Sequence, residues 1–302
     1  VGLLLGLYLL SLYVGAIIAS GISVPLSQAT GGPALALGIW AAPAAAALLV
    51  WLPQLRHPRP ARPARLGQSA RLAGPTGPGP ERGRVRVRGR AGVLTPGRVR
   101  VHRHALAWQV AAFMGLQSLT YFTTLSWLPL LFRDRGASAA RAGFLVSMLG
   151  IGGVATALLA PVLAQRLRDQ RALITPIVAA TAAGIAGSLF APLGTEVFWM
   201  GLLGFGQGAA LGVGLYLTIA RAATPAVAAS LSAMAQGVGY LVAGTGPLLA
   251  GVLHTATGGW TVPVLALLAI TVVEWVSGML AARPLTIAEP AAVAVHHAAG
   301  PA

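Results

Sequence analysis

The chain carries little that could do covalent chemistry. Its 302 residues include 6 acidic side chains, Glu81, Asp134, Asp169, Glu196, Glu274 and Glu289, and among these Glu274 alone falls inside a long apolar run. A carboxyl in that setting is a functional candidate by default, for instance as carrier of a coupling proton. Glu274 also lies about two helical turns from the end of its run, within snorkelling reach of the surface. The 6 histidines sit in loops, in the tail or at the end of a run. His102-x-His104 and His296-His297 offer too few partners for a metal cage. With no cysteine there is no thiol or disulfide chemistry. No nucleophile–base pair or ligand set emerges, so an enzyme, a metal and a cofactor are not expected. What remains is neutral and polar. Gln117, Thr120, Tyr121 and Thr124 recur at helical spacing inside an uncharged run, 105–132, and fall on one face. Lipid cannot satisfy such groups, so they must meet other helices or a watery cavity. Gln207 and Tyr216 stand out in one later run, Gln236 and Tyr240 in another.

The elements that must position these groups are membrane spans. Hydrophobic residues make up 56% of the chain and charged ones 9%, too apolar for an ordinary soluble domain. The apolar runs are long and lack the short alternation of a membrane barrel, so the fold class is an all-α polytopic membrane protein. Eight spans are expected: 1–25, one ending at 53, 105–132, 139–164, 172–190, 197–220, 225–253 and 262–282. Trp108 and Trp127 stand near the ends of the third, where amphipathic rings favour the headgroup level. Ser138, Thr195 and the Thr224-Pro225 pair are expected to open helices. Pro43 lies within the second span. Gly204, Gly208 and Gly212, four apart, form a close-packing face.

Charge sets the topology. The net charge of +15 comes from arginine, most of it between Arg56 and Arg103. Residues 54–104 are rich in Arg, Pro and Gly and have no apolar face to bury, so a disordered linker is expected, as is a disordered tail over 284–302. Contact with anionic lipid suits such a segment. Nucleic-acid binding does not, because no aromatic residues interleave. Placing the linker in the cytoplasm also puts Arg166, Arg168, Arg171, Arg221 and Arg283 there, against Arg133, Arg135 and Arg141 outside. The expectation is a multi-pass protein of the inner (cytoplasmic) membrane with both termini cytoplasmic. Its partner on this reading is the lipid bilayer.

Two spans, a long basic linker and six further spans resemble the ending of a major facilitator transporter. The wording is closer still. WQVAAFMGLQSLTYFTTLSWLP followed by RDRGAS, then GFGQGAALGVGLYL and SAMAQGVGYLVAGTGPLLAGVLHTATGGW, resemble the cyanate and 2-nitroimidazole transporter (CynX/NimT) family. The resemblance implies a major facilitator fold that is incomplete, its eight helices corresponding to helices five to twelve. The chain opens at Val1 already inside an apolar run. Helices one to four are then expected to be missing and the fragment alone inactive; a non-transporting remnant of a truncated gene is the alternative. Residues 1–53 become the end of the N-terminal half and 105–283 the C-terminal half. By the same resemblance Gln117, Tyr121, Thr124, Gln207 and Tyr216 line the solute cavity, with Gln236 and Tyr240 secondary, while Glu274 falls on a peripheral helix. The loop holding Arg166, Arg168, Asp169 and Arg171 is similar to the superfamily's gating motif, although Pro161 and Gln165 replace its glycine and aspartate.

Overall fold

The structure, a computed structural model, describes residues 41–55 and 100–288, together with scattered positions between 11 and 40. The chain divides into two compact units, Ile18–Thr95 and the pairing of Val1–Ile17 with Pro96–Ala302. In the first of these, helix α1 is Ala41–Leu55. Pro43 falls in its first turn, where backbone N–H groups have no intrahelical partner to lose, so the ring does not break the helix.

In the larger unit a short 3-10 turn, Val101–Arg103, leads into α2 (Ala105–Asp134), α3 (Ala139–Arg166), α4 (Arg171–Phe190), α5 (Glu196–Ala220), α6 (Pro225–Thr257) and α7 (Thr261–Ala281). Among the described residues 5 helices, α3 to α7, are long and apolar enough to cross a membrane. Helix α2 has the length, at 30 residues, but its interior amides and hydroxyls dilute its hydropathy. The expected first span lies almost wholly outside the described residues. The second contains α1, whose apolar stretch is only Ala41–Val50.

Local chemistry accounts for most of the helix ends. The Ser138 hydroxyl accepts from the Arg141 N–H and that of Thr224 from the Val227 N–H, with Pro225 in the first turn. Gly258 closes α6 at φ 67°, a left-handed conformation that only glycine adopts without strain. Thr195 stands at the N-cap position of α5 as expected, but its side chain makes no cap bond. Its hydroxyl donates to Pro192 O and accepts from Trp199 Nε1, while Glu196 accepts from the Gly194 N–H.

Close backbone approach holds the bundle together. Helix α3 packs most extensively on α5, and α2 on α6. A Cβ on Gly204, Gly208 or Gly212 would fall on the backbone carbonyl of Leu149, Gly153 or Ala157 respectively, so this glycine ladder is the α3–α5 seam. Gly115 and Gly239 meet likewise between α2 and α6, where a Cβ on Gly115 would stand 3.1 Å from the Gly239 Cα. Lipid offers no hydrophobic drive to association, so van der Waals contact through such seams must supply it.

The chain alternates between two ends. The first gathers the turn before α2, the α3–α4 and α5–α6 loops and the residues after α7; the second gathers the other three loops. Order at the first end runs further than expected. Val101 is buried, and Trp108 Nε1 donates to His102 O at 2.8 Å, so the last residues of the expected linker are held. Beyond α7, Ile287 is 2% exposed and its N–H and C=O pair with Arg221 O and Ala223 N. An apolar side chain with a dry slot to fill does not stay disordered. Residues 56–99 and 289–302, the remainder of the expected linker and tail, lie outside the described residues.

Candidate functional site

The polar stripe of α2 points into the bundle. Gln117, Thr120 and Thr124 are buried, and Tyr121 sits half-buried at the edge with its ring edge-on to Phe122. Gln117 Nε2 donates to Ser118 Oγ at 2.7 Å. Thr120 donates to Leu116 O, and Thr124 to both Thr120 O and Tyr121 O at 2.9 Å, so these hydroxyls spend their protons on their own helix. Thr124 also lines a small internal cavity with Thr123, Trp127, Ser188 and Trp260; its volume of ≈ 20 Å³ fits about one water.

On α5, Tyr216 is half-buried against the core, whereas Gln207 is 3% exposed with neither amide atom hydrogen-bonded. Gln207 lies one heptad from Gly214, whose backbone meets Met114 and Phe113, and therefore faces α2. On α6, Gln236 Nε2 donates to Ser232 Oγ at 2.9 Å, and Tyr240 is 44% exposed. Glu274 does not snorkel. It is 1% exposed, both its oxygens lack a hydrogen bond, and the Thr120 hydroxyl faces it. The reason is register: Gly278, one turn on, packs against Phe113 of α2 and Ile174 of α4, which turns this face of α7 inward. The structure thus buries Gln117, Thr120, Gln207 and Glu274, and sets Thr120 against Glu274. Tyr240 is not among them.

At the first end the centre is a residue that sequence reasoning treated only as a topological charge. Arg221 is 4% exposed; it donates from Nε to Ala281 O at 3.0 Å and from Nη2 to Ala282 O at 3.1 Å and to Gln170 Oε1. Gln170 in turn donates to Ala164 O and Leu167 O. One guanidinium therefore ties the last carbonyls of α7 and, through Gln170, those of α3 to the end of α5. Burial pulls the Arg221 guanidinium below its ordinary pKa, while the Tyr216 and Asp169 side chains favour its charge. In the expected gating loop Arg166, Arg168 and Asp169 are exposed. Asp169 accepts from the Arg171 N–H at 3.0 Å and pairs with its Nε at 3.4 Å. The loop's buried anchor is Gln170. Nothing local in the sequence marks it, since its partner is 51 residues away.

The second end accounts for two of the three arginines that counted against the topology. Arg135 donates to Ser188 O and Ala191 O, closing the end of α4. Arg141 pairs with Glu196 at 3.0 Å, at the α5 N-terminus where a carboxylate suits the helix dipole. Trp260 Nε1 donates to Asp134 Oδ2 at 2.8 Å, and the indole stacks on His254 with ring centroids 4.0 Å apart.

Antiparallel apolar helices with a polar interior and no cluster of metal-ligating side chains among the described residues suit a solute carrier. Comparison with known proteins decides the family. Residues 1–247 match the Major Facilitator Superfamily. The chain belongs to that superfamily. An uncharacterized transporter of Bacillus subtilis, YycB, is 33% identical over 284 residues, covering 93% of this chain and 63% of its own length. The 2-nitroimidazole transporter of Escherichia coli is 38% identical over 183 residues, 61% of this chain and 46% of its own. The cyanate transport protein CynX of Escherichia coli is 33% identical over 162 residues, 54% and 42% respectively. The chain therefore spans between 42% and 63% of the length of these relatives. Within the superfamily, the proteins it is similar to are named as transporters, two of them for 2-nitroimidazole and for cyanate.

Proposed function

We propose that these residues contribute the C-terminal six-helix half, and the last two helices of the N-terminal half, of a secondary transporter. Its solute is a small anion or small polar heteroaromatic, cyanate-like or nitroimidazole-like, moved across the cytoplasmic membrane by alternating access. The observation that carries this reading is the match to relatives named for cyanate and 2-nitroimidazole, joined to a polar interior in apolar helices. The first end, which bears Arg166, Arg168, Arg171, Arg221 and Arg283, is then cytoplasmic, as are both termini and the 54–104 linker. Gln117, Tyr121 and Thr124 of α2 and Gln207 and Tyr216 of α5 would meet the solute, with Gln236 and Tyr240 of α6 in support. The 166–171 loop would set the gate, and Glu274 would serve a coupling proton. The relatives are longer than this chain, and residues 1–302 alone are not expected to move solute.

The test is uptake of radiolabelled cyanate and of 2-nitroimidazole into vesicles containing the full-length protein. Gln117→Ala and Tyr121→Ala should each cut flux about tenfold, the loss of roughly one good polar contact. Unchanged binding and flux in both variants would end the site assignment. No flux of either solute in the parent would end the substrate reading.

A further inference from the structure

Among the described residues, Glu274 and Gln207 are the buried side chains whose polar atoms are all without hydrogen bonds. Both are more than nine-tenths buried, and they approach α2 from different helices. Glu274 lies one turn from Gly278 and Gln207 one heptad from Gly214, and a Cβ added at either glycine would come within 4 Å of Phe113. Both side chains therefore lie on helix faces turned toward α2, with Glu274 beside Thr120.

Among the described residues no hydrogen bond reaches the Glu274 carboxyl. Helix α7 packs on α2, α4 and α6. Within those helices the titratable groups are Tyr121 on α2 and Tyr240 and His254 on α6; His104, Arg133, Asp134 and Arg171 stand at helix ends. None bonds to Glu274. A carboxylate in a dry interior needs a donor or a counter-charge, and here it has neither. The Thr120 hydroxyl faces it, but its hydrogen is committed to Leu116 O at 2.9 Å.

We infer that Glu274 is a proton-binding site inside the six-helix half, protonated in this packing and able to release its proton only when water reaches its carboxyl. Release breaks the carboxyl O–H bond, passes the proton to water and leaves a carboxylate that this water must solvate. The use of such a site in coupling rests on the transporter reading; its existence does not.

The test is infrared difference spectroscopy on the purified chain in lipid nanodiscs at neutral pH, with no solute present. Wild type should show a protonated-carboxyl C=O band that exchanges slowly in D₂O. Glu274→Gln, which keeps the shape of the neutral acid and should melt like wild type, should lack that band. Glu274→Asp should shift it, which guards against a fold-specific artefact in the amide variant. Gln207→Leu should retain it. Identical carboxyl bands in wild type and Glu274→Gln would overturn the inference. So would a band that sodium removes at constant pH, since the site would then take a metal cation. Failure of solute uptake leaves these bands untouched, so the two readings fail separately.

Discussion

Arg221→Met removes the donor from Gln170 Oε1, Ala281 O and Ala282 O while keeping most of the side chain's apolar bulk. A hydrogen bond to a charged group is worth about 1.5–3 kcal/mol, so three would sum to roughly 4.5–9 kcal/mol. That sum is too large. The two backbone carbonyls sit at the end of α7, where water can replace a shortened side chain, and the variant also relieves the desolvation of a buried charge. Gln170 is different: its amide nitrogen is held by Ala164 O and Leu167 O, so its oxygen cannot turn away to find another donor. The expected net loss is about 2–4 kcal/mol, dominated by that pair. At about 2–4 °C per kcal/mol for a bundle of this size, the melting midpoint should fall by roughly 4–16 °C. Thermal unfolding in detergent, followed by circular dichroism, measures it. Arg221→Lys should recover less than half of the loss, because one ammonium cannot span the fork. A cycle with Gln170→Met should show coupling of about 0.5–3 kcal/mol. A midpoint for Arg221→Met within about 2 °C of wild type would refute the reasoning, meaning that the cost of burying the charge cancels its hydrogen bonds.

Two further outcomes follow from the packing. Gly208→Ala puts a methyl on the Gly153 carbonyl and should cost about 1–3 kcal/mol, whereas Gly237→Ala, with nothing within 4 Å, should be neutral or slightly stabilising; melting of the two variants side by side checks the seam. A chain ending at Pro284 loses the buried Ile287 and its pairing with Arg221 and Ala223, and should unfold more easily by about 1.5–3 kcal/mol in the same assay. Full stability in that truncated chain would show that Ile287 and its pairing contribute nothing.

Local sequence pattern was enough for the helical membrane class, the boundaries of the six helices from Ala105 to Ala281 to within a few residues, and the close-packing ladder of Gly204, Gly208 and Gly212. These depend on local quantities: the length of an apolar run, a capping hydroxyl, a four-residue spacing. The same locality explains where such reasoning stopped. Thr195 has the type of a helix cap, yet its hydroxyl was claimed by Pro192 and Trp199. Arg221, Arg135 and Arg141 read as charges to be counted on one side or the other, and folding gave each a distant partner. Glu274 lay near enough to a helix end to snorkel. Only the rotation of α7, set by Gly278 lying against Phe113 and Ile174, decided that its carboxyl would face the interior without a partner. A sequence states which groups lipid cannot satisfy. Which of them then find one another depends on helix rotation and depth, and those are fixed by contacts between residues far apart in the chain.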